Sequence, residues 1–592
     1  MKKIPILPAA LFLAMQVCAA QTSIEIHFQA DASNVPKPVQ FGIRGSIPPL
    51  SWEKTYLLED PDKDGIYEGK IAFDAADAAL LEYKFVYGEK KIVYELEGEN
   101  RILVLKKSQA VENQWNQRSA ADLSALPPLS SQQLLADINI LEKALLSIHP
   151  GLYRYNTPEQ TDSIFRHFRQ VFSQPMSYRE AFLEMTRLTA SIRCGHTYPN
   201  FFNQQGFIQQ VVLNQADKLP FAFRVVEKRM IVTANASGQT QLDRGTEVTA
   251  INGIPVNRIF DGLSRLVKAD GSNDTKRYAD LNTFGSGSFE MFDAYFPLLY
   301  PPQNGKYLLE IADPKADKTT SLEVEPLSRA EKAERLKKNN PGYPVKADEL
   351  WKLEFWEDNT AYLQLGTFDV FQLSFEWSDF LKKAFDEINR KKSPNLVLDI
   401  RWNEGGQDEV LLLLGQYLAK QPISPVSRED LVRYRAVPTD LKDYLFTWDA
   451  SYYDLGEKVA AAEDGFYAFR QQEDLIVKPA KNAFKGDVFL LVNAANSSAT
   501  FYFAELARAN RIATLVGEPT GGSQKGLNGG AMFFLRLPNS KIEIDIPIIG
   551  TFSTEKEDKG ITPDHLVAET AEDIINGTDP VILFTKALIK EK

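Results

Sequence analysis

Two apolar strands, each running straight into a turn of small residues and then a helical pattern, constrain this fold more than any other feature. Leu396-Val-Leu-Asp399-Ile400 leads to Gly405-Gly406 and a helix over Glu409 to Leu418. Val488-Phe-Leu-Leu-Val492 leads to Asn496-Ser497-Ser498-Ala499 and a helix over Thr500 to Asn510. Continuous apolar strands followed by helices build sheets that are covered on both faces. Residues 351–592 are therefore expected to form an α/β core. Within it, Lys541-Ile-Glu-Ile-Asp-Ile546 alternates strictly and reads as a half-exposed strand.

Upstream the pattern changes twice. Over 128–207 the chain reads as helical. Leu134, Ile138, Leu141, Leu145 and Ile148 form one apolar stripe, Ser130 or Ser131 can cap it, and Pro150-Gly151 ends it. Further helices are expected over Thr161–Phe172 and Tyr178–Ser191, the last stopping at Ile192-Arg193-Cys194-Gly195-His196-Thr197. Residues 210–326 are β-rich, with Asn252-Gly253 as a hairpin signal. The charged stretch 327–350, which includes Asn339-Asn340-Pro341-Gly342, reads as a linker. Residues 22–110 read as a small all-β sandwich, with Ile24–Phe28, Tyr83–Tyr87 and Ile102–Leu105 among its strands. Asp60-Pro-Asp62-Lys-Asp64-Gly65 starts like a calcium loop, but its twelfth position is Ile71, so a polar hairpin turn is the better reading.

Residues 1–20 have the layout of a cleaved secretory signal. Lys2 and Lys3 precede the apolar run Ile4–Val17, and Cys18-Ala19-Ala20 supplies small residues. Lipidation of Cys18 is the less favoured alternative, because bulky Val17 precedes it. No later apolar run approaches the ~18 residues of a membrane span. The reading is an exported protein of the periplasm, the cell envelope or the exterior. At ~150 residues each, a chain of 592 would hold roughly three to five domains. With 67 basic against 79 acidic residues, a net charge of −12 and no basic block, nucleic-acid binding is disfavoured. Two cysteines and five histidines cannot build a disulfide framework or a cysteine-rich zinc site.

Among residues that can do chemistry, Ser498 stands out by its setting. It lies at a helix N-terminus, where backbone N–H groups point outward and favour negative charge. The alternative is that Ser497 or Ser498 merely caps the helix. The paired glycines Gly405-Gly406 let backbone amides approach a ligand, and no Gly-Lys-Ser/Thr follows to make a nucleotide loop. His149, in His149-Pro150-Gly151, reads as a helix-end residue meeting the last carbonyls. Cys194 reads as a packing residue.

Five motifs together resemble the C-terminal-processing and tricorn-core family of serine peptidases. They are Cys194-Gly195-His196-Thr197, Asp399-x-Arg401-x-Asn403-x-Gly405-Gly406, Ser498-Ala499, Gly517-Glu518-x-Thr520-Gly521-Gly522 and Gly560-Ile561-x-Pro563-Asp564. The resemblance spans about residues 130–590 and implies a core of the crotonase-like (ββα spiral) type. It also implies a Ser498 nucleophile and an oxyanion hole from Ala499 with Gly405 or Gly406. The family has two catalytic styles. A lysine base would lie about 25 residues after the serine; that position is Ser523, and the nearest lysine is Lys525. A histidine base maps onto His196, with Glu557, or Glu555 next, as the supporting acid. The histidine style is favoured, with an acid limb near the ordinary imidazole pKa of ~6.5. His196 as a turn residue and Glu557 as a solvated acid are the alternatives. The implied activity is endopeptidase cleavage of peptides or loosely folded proteins, with no metal or organic cofactor needed. The other reading is a non-catalytic peptide- or glycan-binding protein on the same scaffold.

Two smaller resemblances complete the picture. Leu242–Val256, with Gly245 and Asn252-Gly253, is similar to the late part of a PDZ domain. Gly45, Trp52, the Asp64-Gly65 turn near Tyr67, Glu82–Phe85, Tyr94-Glu95 and Asn100-Arg101 resemble a starch-binding module, which implies polysaccharide contact through Trp52 and Tyr94. A structural sandwich that binds no sugar is the alternative.

Overall fold

A computed structural model describes residues 23–591, apart from 36–37, 75–78, 97–99, 106, 118–125, 286, 314–317, 345, 471–475 and 555–556. The expected signal segment and Glu555 lie outside the described residues. The chain divides into two compact units, residues 1–127 and 128–592.

In the first unit two sheets share one core. Strand Ser23–Asp31 pairs antiparallel with Ile66–Asp74 and parallel with Gln109–Gln114. Ala79–Tyr87 pairs with Gly42–Gly45 and Arg101–Leu105 in the other sheet. The alternation in Ser23–Asp31 buries Ile24, Ile26 and Phe28 against Phe41, Phe73, Tyr83 and Phe85. Glu95 and Arg101 form a fully buried ion pair at 2.6 Å, with Glu95 Oε1 also accepting from Phe85 N. The Asp60–Gly65 segment is the expected turn: Gly65 N and Ile66 N donate to Asp60 and Asp64.

The second unit begins with three helices, Ser131–Ile148, Pro158–Val171 and Tyr178–Ser191. Ser130, Thr157 and Ser177 cap them, each in a reciprocal box with a Gln or Glu three residues on. An antiparallel sheet follows, with Lys318–Val324, Tyr307–Asp313, Glu247–Ile251, Arg229–Asn235 and Phe221–Val226 in spatial order. The stretch expected as a linker carries a helix instead, Arg329–Asn339. Ser328 and Glu331 make the same capping box there, and Leu336 is buried against Ala222 and Ala234.

The expected α/β core is present. Trp351–Phe355 is antiparallel to Ala361–Leu365, and Asn395–Asp399, Asp487–Val492, Thr514–Gly517 and His565–Leu566 then add in parallel. The register aligns Asp399 with Leu491, Val492 with Gly517 and Gly517 with Leu566. The turns after the first three of these parallel strands therefore emerge along one sheet edge, where open α/β sheets place their sites. A second, antiparallel sheet contains Asn528–Arg536 and Glu543–Ser553. Residues 542–546 are buried on both faces rather than half exposed. The polar face is covered because Asp545 accepts bonds from Asn200 and Asn203, and Glu543 from Arg536.

Candidate active site

Ser498 sits where strand Asp487–Val492 turns into helix Ser498–Ala509, with its backbone in the left-handed region at φ 53°. A non-glycine residue held there is strained, and such strain persists only where neighbours enforce it. The enforcement is visible. Asn496 Nδ2 donates to Ile400 O (2.6 Å) and Asn403 O (3.0 Å), Ser497 Oγ to Glu404 O (3.0 Å), and Thr500 Oγ1 to Asn403 O (2.9 Å). The serine turn is thus stitched to the turn after Asp399.

That second turn needs its glycines. A Cβ on Gly405 would lie 2.8 Å from Ser498 Cβ, and Gly405 and Gly406 have φ 110° and 140°. Asn403 Oδ1 accepts from Gly405 N at 3.0 Å, so this N–H is already engaged. The N–H groups of Gly406 and Ala499 meet no acceptor among the described residues. Asp399 and Arg401 do structural duty: Arg401 bonds Asp399 and reaches Asp579.

His196 comes to the same place from a helix end 302 residues earlier, with Nε2 3.3 Å from Ser498 Oγ. Its Nδ1 is buried and has no hydrogen-bond partner among the described residues. Burial pushes its pKa down to about 4; Asp270 pulls it upward, while Lys268 and Lys276 push it further down. Cys194 is buried, accepts from Asn528 at 3.4 Å and is pushed up to about 11 by burial, which fits packing rather than thiolate chemistry.

Other expected residues lie elsewhere. Glu557 makes no bond to His196: its side chain is 61% exposed and its carboxylate pairs with Lys559. Lys525 lies over the Tyr155 ring, 5.6 Å from its centre, and makes no bond to Ser498. Ser523, at the family's lysine position, is buried and donates to Asp558. His149 does not use its side chain on helix carbonyls. It bonds Thr197 Oγ1 (2.9 Å) and accepts from Gly151 N (3.1 Å). In the first unit, Trp52 and Tyr94 are 37% and 43% exposed, and Arg44 bonds both the Trp52 carbonyl and the Tyr94 hydroxyl.

The sequence reading missed one segment altogether. Residues 268–280, from the β-rich region, bond to three of the motifs and to Ala495 and Asp558, which precede the other two. Asp270 Oδ1 accepts from Gly195 N at 3.0 Å, and Gly271 N donates to Arg193 O. Asn273 Nδ2 reaches Thr520 O and Gly522 O, and Ser272 N reaches Asp558. The buried Lys276 ammonium bonds Asp280, Glu404 and the Ala495 carbonyl. Only the Asp-Gly pair at 270–271 marked this stretch in sequence, and that signals no more than a turn.

The arrangement pairs a hydroxyl with an imidazole beside free backbone donors, which is equipment for acyl transfer. Comparisons agree with it. Residues 359–567 match the model of Peptidase family S41. A crystal structure of a mutant of CPAF superposes with a TM-score of 0.53 at 13% identity, covering 75% of this chain and 94% of that one. Mature CPAF complexed with lactacystin gives 0.53 at 15% identity, covering 77% and 97%. At such identities the likeness is one of fold. No curated protein matches the sequence. Residues 359–567 therefore carry a peptidase family S41 domain, which indicates a serine peptidase hydrolase.

Proposed function

We propose that the chain is an exported endopeptidase that cleaves peptides or loosely folded proteins through an acyl-enzyme on Ser498. The observation that carries this reading is the 3.3 Å approach of His196 Nε2 to a strained serine hydroxyl at a helix N-terminus. Neutral His196 takes the Ser498 proton as Oγ attacks the scissile carbonyl. The oxyanion is held by the N–H groups of Ala499 and Gly406, with Gly405 clearing the space for its approach. The imidazolium then protonates the leaving amine, and water releases the acyl group by the reverse order of steps. Asp270, in place of Glu557, is the carboxylate that favours the imidazolium, and Lys276 holds the two turns together. No step calls for a metal or organic cofactor.

The remaining assignments belong to the same proposal. Residues 1–20 direct export to the periplasm, envelope or exterior; among the described residues no helix is long and apolar enough to cross a membrane. The 210–326 sheet acts as a PDZ-like domain that holds substrate by strand addition, and the 351–592 core is of the crotonase-like type. In the first unit, the exposed pair Trp52 and Tyr94, joined by Arg44, favours polysaccharide contact by a starch-binding-like module.

A fluorophosphonate probe tests the central claim. Wild type labels and Ser498→Ala does not. Labelling of both, or of neither, overturns the assignment in favour of a binding protein on a peptidase scaffold.

A further inference from the structure

Apart from the serine site, the second unit holds a cavity of about 320 Å³ between the β-rich sheet and the core. Its centre is Arg224, on strand Phe221–Val226. The guanidinium packs into the corner made by two edge-to-face rings, 4.3 Å from the centre of Phe284 and 4.0 Å from that of Trp402. Its hydrogen bonding is incomplete: among the described residues the buried Nη1 has no partner, and Glu569 stands 4.0 Å from Nε, beyond bonding length.

The surrounding charges are unbalanced in the same sense. Arg401, on the cavity wall, is already neutralised by Asp399 and Asp579. Arg244 and Lys346 add two more positive groups, and Arg244 is held only from Nε, to the Ile574 carbonyl. Against three cations stands the single carboxylate of Glu569. A guanidinium buried without its in-plane partner is costly, and a carboxylate is the group that fits the fork. The rest of the lining is aromatic, with Tyr343 joining Phe284 and Trp402. Small-molecule sites have this make-up: an apolar concavity with a few converging polar groups. Glu569 on the wall disfavours a dianion such as phosphate.

We infer that this cavity binds a monocarboxylate carried on an apolar or aromatic body, with Arg224 as the anchoring group. The source is either a free organic acid or the carboxylate end of a peptide.

Calorimetry on full-length Ser498→Ala, which removes the reactive hydroxyl, tests this with 3-phenylpropionate, its neutral amide, inorganic phosphate and a short peptide ending in a phenylalanine carboxylate. The acid should bind at least ~10-fold more tightly than the amide, since the charge-assisted bond is lost in the latter. Arg224→Met should lose a similar factor and Arg244→Met a smaller one. Binding should also change tryptophan emission, and Trp402→Phe should abolish that change. The relative affinities of free acid and peptide identify the source. Equal binding of acid and amide, phosphate binding more tightly than the acid, or unchanged acid binding in Arg224→Met each overturns the inference. Should Arg224→Met fail to fold, the amide comparison and Arg244→Met decide it, and acid binding undiminished in Arg244→Met with amide binding equal to it is the negative result.

Discussion

His149 and His196 are both drawn into the second unit's interior, and both have their pKa lowered by burial, to about 3 and about 4. They differ in what their nitrogens touch. His149 has both satisfied: Nδ1 accepts from Gly151 N, and Nε2 therefore carries the proton and donates to Thr197 Oγ1. His196 has one nitrogen on Ser498 and the other orphaned beside a buried carboxylate. A fully bonded imidazole is a strut. A half-bonded one keeps an unsatisfied group that costs about 1–3 kcal/mol, while Asp270 favours charge on the ring. Burial alone would not have told the two apart.

The largest expected effect is on His196. His196→Ala should lower kcat/KM by ~10³-fold or more while the melting temperature stays close to wild type. Lys525→Ala, assayed beside it, should stay within ~3-fold, a small surface-type effect. The reverse pair of results would restore a lysine base. Next in size is the carboxylate. Asp270→Asn should cost roughly 10–100-fold in kcat, the range lost with second-row partners of a working imidazole. Because Asp270 raises the His196 pKa, its loss should also move the acid limb to lower pH, which a packing defect would not do. Glu557→Gln should stay within ~3-fold; a larger loss there than in Asp270→Asn returns Glu557 to the site.

His149→Ala tests the other half of the comparison. It removes a buried ring with two hydrogen bonds, so denaturant melts should show a loss of ~2–4 kcal/mol, with turnover per folded molecule much less affected. Acid gives the smallest and most gradual signal. In wild type the acid limb of kcat/KM should lie near 4, below the ordinary imidazole value that the sequence suggests, because burial keeps His196 neutral. Both folded-state pKa values lie below the unfolded value. The unfolded chain therefore takes up protons first, and the two rings' contribution to stability is present above about pH 6.5 and lost as pH falls towards 4 and 3. Unfolding free energies measured across that range check the sign.

Much of this was legible in sequence. Tyr178–Ser191 is a helix over the very residues its pattern indicated, and the turns carrying Ser498 and Gly405-Gly406 follow apolar strands as expected. Strand-then-turn order is a local property, and a parallel sheet brings such turns to one edge without further instruction. Glu557 faces solvent and pairs with Lys559, because spacing along a chain says nothing about which way a loop faces. The helix Arg329–Asn339 was readable in principle, since Ser328-x-x-Glu331 is a capping box, but its surface is so charged that it resembled a linker. Asp270 and Lys276 carried no signal. Their importance is set by tertiary contacts to residues 75 to 219 positions away.

The 302-residue separation of His196 and Ser498 has a consequence for biosynthesis. The histidine leaves the ribosome long before the serine does. The segment at 268–280 has a support that emerges later still, Asp558, 286 residues after Ser272. Contacts of such range are among the last to form. A nascent chain therefore carries every residue of the helical region and the β-rich sheet yet no assembled serine–histidine pair. The pair is completed only when the C-terminal sixth of the chain has folded on to the rest.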